Sequence, residues 1–290
     1  MKLGTLAPSF RLGSVTPSCI YRGGSLVWQS MDPDAASYFT RVEALGGSFD
    51  QSSINPAYTA SYVKNAIQTM IVGIKSDNTW DLIKEMYLMC GVTFAGITAK
   101  LKHAGNPLLT NNGFTAGDLV AAGATAGMNK SVSTKGFWTG MLAGTDFQPL
   151  SSMHLSYYAT SITEGGAYMS DAGGNNNQCS MIRDQARIPS NGGVGAGIGT
   201  ELGMVIGSTQ ASNIRKKFIN GDVAETRTNT PTWAATGVDM ALFRHRNGTY
   251  ENAIFRGNFF SIGAGLSDSQ ALSFASRVNA LMASLGCNTY

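Results

Sequence analysis

The sequence is short of charge. Only 13% of its 290 residues are Asp, Glu, Lys or Arg, about half the roughly 25% usual in globular chains. So few Lys and Glu residues argue against long solvated coiled coils, and a 43% hydrophobic content argues against intrinsic disorder. The net charge of +3 arises from 21 basic and 18 acidic residues with no block of either sign, so the chain lacks a nucleic-acid footprint. Its densest basic run, Arg215-Lys216-Lys217, reads as a solvated strand or turn. Long hydrophobic runs are missing too. Residues 1–30 lack a signal-peptide apolar core, and no window reaches the length of a membrane-spanning helix. These absences predict a soluble protein that is not exported by the general secretory route, with no membrane insertion.

Reactive chemistry is equally sparse. Cys19, Cys90, Cys179 and Cys287 lie far apart in sequence, so none forms a close zinc-ligand or redox pair, and they read as buried or idle thiols. His103, His154 and His245 are scattered, and no Gly-x-Ser-x-Gly elbow supports a hydrolase triad. The six glutamates, Glu43, Glu85, Glu164, Glu201, Glu225 and Glu251, are isolated. A sandwich glycosidase needs two carboxylates a few ångströms apart, so only a site assembled from distant strands would serve one. The glycine run from Gly192 to Gly199 misses the dinucleotide-binding spacing and precedes a strand-like stretch, Leu202 to Ile206, so it reads as a sandwich loop. No catalytic residue, metal site or cofactor is expected.

What the chain has in abundance is small neutral polar residues: 35 Gly, 28 Ser, 25 Thr and 19 Asn. These are turn formers. In residues 1–30, Pro-Ser and Gly-Ser steps separate short apolar runs, the pattern of a small β element that cannot bury a core of its own. In residues 31–90, Asp32-Pro33 and Asn55-Pro56 are helix start signals. Phe39, Val42 and Leu45 keep helical spacing, as do Val63, Ile67, Met70 and Ile74, and a third helix is predicted from Asp77 with Trp80, Ile83 and Tyr87 on one stripe.

Residues 91–290 change character. Met153, Leu155 and Tyr157 alternate with His154, Ser156 and Tyr158, and Asn220-Gly221 and Asn247-Gly248 are hairpin turns. Ser267-Asp268-Ser269-Gln270 is a capping box for a last helix carrying Phe274, Val278, Leu281 and Leu285, with Gly286 past its end. The expected fold is mainly β. It is a jelly-roll sandwich of the concanavalin A type with an N-terminal β element, a three-helix insert and a C-terminal helix. Trp233 and Tyr250, on sandwich loops, are the candidate aromatics for stacking on a sugar.

The run Cys19-Ile20-Tyr21-Arg22-Gly23-Gly24-Ser25-Leu26-Val27-Trp28 resembles the I-Y-x-G-S-x-x-V-W element of tailed-bacteriophage tail and head-appendage proteins. His154 to Tyr158, Phe218 to Gly221 and Phe260 to Asp268 are similar to strand, hairpin and C-terminal elements of virion proteins with a concanavalin A/laminin-G-like jelly roll. The resemblance implies a structural component of the virion, made in the host bacterial cytoplasm. It would contact other virion proteins, with Ile20, Tyr21, Val27 and Trp28 in the attachment element, and virion symmetry makes a homo-oligomer the expectation. A glycan-binding adhesin contacting the host surface is the alternative, and a polysaccharide depolymerase the third reading.

Overall fold

The computed structural model describes residues 19–22, 25–131, 134–146, 152–164, 167–170, 180–182, 185–187, 201–211, 213–228, 239–244 and 254–289. Strands β1 (Cys19–Arg22) and β2 (Ser25–Gln29) come first, then helices α1 (Pro33–Ala44) and α2 (Ala60–Ser76) and strand β3 (Ile83–Leu88). Short strands β4 (Thr110–Asn112), β5 (Leu119–Val120) and β6 (Gly127–Lys130) lead into β7 (Gly136–Leu142) and the one-turn α3 (Ala143–Asp146). There follow β8 (Met153–Glu164), β9 (Ala167–Ser170), β10 (Ser180–Ile182), β11 (Gln185–Arg187) and β12 (Gly203–Ala211). The chain ends with β13 (Ile214–Ile219), β14 (Asp222–Thr228), β15 (Asp239–Leu242), β16 (Ile254–Gly263) and α4 (Asp268–Ser284).

The architecture is mainly β, with two large antiparallel sheets in a jelly-roll-like sandwich. One runs β14-β13-β12-β8-β16-β6-β5, with β3 also paired to β16; the other runs β11-β10-β9-β15-β7-β4. Rings from both sheets meet between them. Tyr157 of β8 lies 4.6 Å from Tyr168 of β9, and Tyr168 lies 4.6 Å edge-on from Phe255 of β16. Strand alternation explains the other layer. Phe260 turns inward to Phe243 at 4.9 Å, whereas its neighbour Phe259 meets Phe274 of α4 at 5.9 Å. Each such buried ring contributes about 1.5–3 kcal/mol relative to exposure, so α4 covers the outer face of the large sheet. Helix α2 packs beside it, with Asp77 accepting from Arg277 at 2.8 Å.

Local chemistry sets the element ends. The Asp32 carboxylate accepts from the Asp34 amide at 2.9 Å ahead of α1, and Gly46, at φ 75°, follows its end. The Ser267–Gln270 capping box starts α4 as expected. Asn220 and Gly221, at φ 54° and 96°, turn β13 into β14 with the positive φ pair that a two-residue hairpin needs.

Three expectations are corrected. No helix follows Asp77: α2 stops there, Asn78 takes φ 54°, and after a single 3-10 turn at Trp80–Leu82 residues 83–88 form β3 against β16. The insert therefore has two α-helices, not three. The spacing of Trp80, Ile83 and Tyr87 fits a helix, but β3 is buried on both faces and a doubly covered strand shows no alternation to contradict that reading. The Asn55-Pro56 start is also displaced. Asn55 accepts from the Ala57 amide at 3.0 Å in a local turn, and α2 begins four residues later under Thr59. Finally, the basic run lies on β13 with Arg215 and Lys217 buried, not solvated. Lys217 faces Glu201 at 3.2 Å.

No helix among the described residues is long and apolar enough to cross a membrane.

Candidate functional site

Trp233 and Tyr250 lie outside the described residues, as do Asn247-Gly248, the glycine run 192–199, His245 and Cys179. Ile20 and Tyr21 fall on β1, and Val27 and Trp28 on β2, with Ile20 in register opposite Trp28 and a bulge between Ile20 and Tyr21. That hairpin forms a two-stranded sheet of its own, apart from the two large sheets.

The reactive side chains that the fold brings together are buried. His154 of β8 has Nδ1 2.6 Å from the Ala264 carbonyl oxygen, which can only accept, so Nδ1 carries the proton. Nε2 then accepts from the Ser261 hydroxyl at 3.0 Å, and Ser261 accepts from Ser156 at 2.6 Å. A base bonded to a serine is the geometry of a nucleophile pair. Here all three side chains are completely out of solvent, and burial pulls the His154 pKa from 6.5 to about 4. The chain ties β8 to β16. Glu85 of β3 likewise meets the Lys100 ammonium at 3.0 Å and accepts from the Tyr87 hydroxyl, all three buried. Burial raises the Glu85 pKa against the opposing pull of Lys100. Among the described residues no three His, Cys, Asp or Glu side chains gather as a metal site would require.

The surface offers a different arrangement. Where the start of α1 meets the end of α2, a recess of about 400 Å³ is lined by Asp34, Lys75, Asn78, Trp80 and Asp81. Lys75 holds the Asp32 and Asp34 carboxylates at 2.8 and 2.6 Å. Partial burial pulls its pKa down, but the two carboxylate bonds outweigh that and raise it. The ammonium groups of Lys75 and Lys102 lie 5.1 and 4.5 Å from the centre of the Trp80 ring. For Lys102, burial lowers the pKa, with Lys75 adding to the effect. The left-handed backbone at Asn78 ends α2 and turns the chain so that Trp80 and Asp81 reach the recess. Its members come from a helix start, a helix end and the turn between α2 and β3, so no sequence spacing announced them. The one local signal was an Asn directly after a helix-capping Asp, a preferred site for a left-handed residue.

No protein-family model and no curated protein sequence matches the chain. Among solved structures, domain 4 of AbnA, a GH43 extracellular arabinanase from Geobacillus stearothermophilus in complex with arabinotriose, aligns at TM-score 0.41 and 15% identity. The alignment covers 67% of this chain and 98% of that one. The receptor binding domain of botulinum neurotoxin C/D mosaic serotype aligns at TM-score 0.46 and 10% identity over 68% of this chain, which spans about half (51%) of that structure. Trypanosoma rangeli sialidase in complex with the inhibitor DANA gives 0.35 and 12% over 58% of this chain and 28% of that one. Scores this low carry no argument about ligand or activity, and the sandwich assignment rests on the strand ladders.

Proposed function

We propose that the chain is a non-catalytic recognition module for an uncharged glycan, carried on a tailed-phage particle as the sequence resemblance implies. The observation that carries the glycan part is the composition of the Trp80 recess. Carboxylates at Asp34 and Asp81 accept, Lys75 and the Asn78 amide donate, and Trp80, largely buried with its ring against the Lys75 and Lys102 ammonium groups, adds a small apolar part of the wall. Both signs of charge face the space, so a strongly charged ligand meets repulsion as well as attraction. A neutral polyhydroxylated ring can use the donors and acceptors together. Retention of the purified chain on a glycan array and on host cells tests this reading. Binding above background should fall at least ~10-fold, a loss of about 1.4 kcal/mol, in Asp81→Ala and in Asn78→Gly, which keeps the left-handed backbone. Retention lost only in Trp233→Ala or Tyr250→Ala would move the site to the sandwich loops. No retention at all would end the glycan reading.

A purely structural virion role is the second reading, and a separate observation favours it. The β1–β2 hairpin pairs only with itself among the described ladders, and an isolated two-stranded hairpin is marginal in water. Pairing with another virion protein or a second copy of the chain would stabilise it. Deleting residues 1–30 should leave a folded protein that no longer enters particles, whereas unchanged incorporation would refute attachment through Ile20, Tyr21, Val27 and Trp28.

A further inference from the structure

Cys90 and Cys287 are 197 positions apart in sequence and close together in space. Cys90 lies just past β3, with its sulfur 3.7 Å from the Asn258 carbonyl of β16. Cys287 follows Gly286, whose φ of 71° turns the chain back after α4. The two sulfurs approach the same Met282 sulfur, at 3.8 and 3.5 Å, and the neighbouring Cys287 thiol is the foremost influence on the titration of the Cys90 thiol. Both side chains are completely buried.

We propose that Cys90 and Cys287 are a cross-linking site, a thiol pair that closes to a disulfide when the chain meets a small-molecule disulfide such as oxidised glutathione. In the closed protein both thiols are out of reach. Cys287 nevertheless sits on the single turn that follows α4, where the Gly286 amide donates to the Ala283 carbonyl at 3.0 Å and the Gly123 amide to the Leu285 carbonyl at 2.8 Å. The Cys287 amide donates to the Met282 carbonyl at 2.9 Å, and the Thr289 amide donates to the Tyr158 hydroxyl at 3.1 Å. Opening this one turn breaks only its local bonds and so costs less than unfolding the sandwich. Once open, the Cys287 thiol loses its proton to water, and its thiolate attacks one sulfur of oxidised glutathione. The glutathione S–S bond breaks, a mixed disulfide forms on Cys287, and one glutathione thiolate leaves. When the turn closes again, Cys90 gives up its proton and its sulfur attacks Cys287 Sγ, expelling the second glutathione thiolate. Two protein thiols are oxidised by two electrons, one glutathione disulfide is reduced to two thiols, and the two protons end on those leaving groups.

The neighbouring Cys287 thiol first, and burial second, raise the Cys90 pKa well above the ordinary thiol value. Closure is therefore slow in native buffer and limited by opening of the turn after α4. The bond would clamp α4 and the end of the chain onto β3, enclosing most of the sequence in one loop.

The test incubates the 290-residue protein with oxidised glutathione, alone and in urea below the unfolding transition, followed by trypsin digestion and mass spectrometry without reductant. The expected product is the peptide Glu85–Lys100 joined to Val278–Tyr290, lighter by two hydrogen atoms than the sum and separated by dithiothreitol. It should form faster in dilute urea, and the oxidised protein should melt at a higher temperature than the reduced one. Cys287→Ala, at the edge of the fold, should remove the product without unfolding the chain, and Cys90→Ala should remove it too. Glutathione that stays on Cys287 without transfer, or a bond from either residue to another cysteine, would overturn the proposal. So would the absence of the joined peptide after prolonged incubation in dilute urea.

Discussion

The Nε2 atom of His154 lies 3.0 Å from the Ser261 hydroxyl oxygen, in a hydrogen-bonded chain completely closed to solvent. The pair does the work of a strut between β8 and β16, and it has a pH signature. His154 has a pKa of about 4 in the folded protein, against 6.5 ordinarily. Below pH 6.5 the unfolded chain takes up a proton that the folded chain refuses. Stability contributed by the neutral imidazole is therefore complete above pH 6.5 and is lost as pH falls toward 4. The loss across that window is about 3 kcal/mol at roughly 1.4 kcal/mol per pKa unit. Urea unfolding at several pH values should show the slope, and His154→Asn should flatten it.

Glu85 and Lys100 are each other's answer to burial, at 3.0 Å. Removing one partner strands the other. Glu85→Leu alone should cost about 3–5 kcal/mol, and the double variant with Lys100→Met should recover most of that or exceed the parent. Chemical denaturation of the two single variants and the double variant checks this. Strict additivity of the single losses would show that the pair does not act as a unit.

The β13–β14 turn depends on Gly221. A methyl group there would sit 2.8 Å from Leu272 Cδ1 and 3.1 Å from Leu272 Cα, on a residue whose φ is 96°. Gly221→Ala should therefore destabilise by about 1–3 kcal/mol through combined strain and crowding. A lowered thermal midpoint would register this. Leu272→Ala in the same chain should relieve the part due to the flexible Leu272 side chain.

What the sequence made legible was local. Asp32-Pro33, Asn220-Gly221 and Ser267 to Gln270 each fix their own backbone within four residues, and each performs as expected. The misread stretch, 77–88, failed because its apolar spacing suits two structures and only the pairing with β16, some 170 residues later, decides between them. The same separation hid the side-chain clusters. His154 and Ser261 are 107 positions apart, and even Glu85 and Lys100 are 15 apart on different turns of the chain. No pattern in either neighbourhood marks a partner. The Trp80 recess is hidden for a related reason, since the spacing of Trp80 fits a helical stripe and its companions Asp34 and Lys75 belong to other elements.

The place of β16 bears on how the protein is made. This strand pairs with β8, β6 and β3, yet it occupies residues 254–263, behind every other strand in the order of synthesis. A ribosome has therefore emitted most of the chain before the large sheet can close, and until then β3, β6 and β8 each present an open edge. Closure of the large sheet must await β16. A chain cut short before residue 254 would not be a smaller version of this protein but a set of unmatched edges, prone to stick to its own copies or to call on a chaperone.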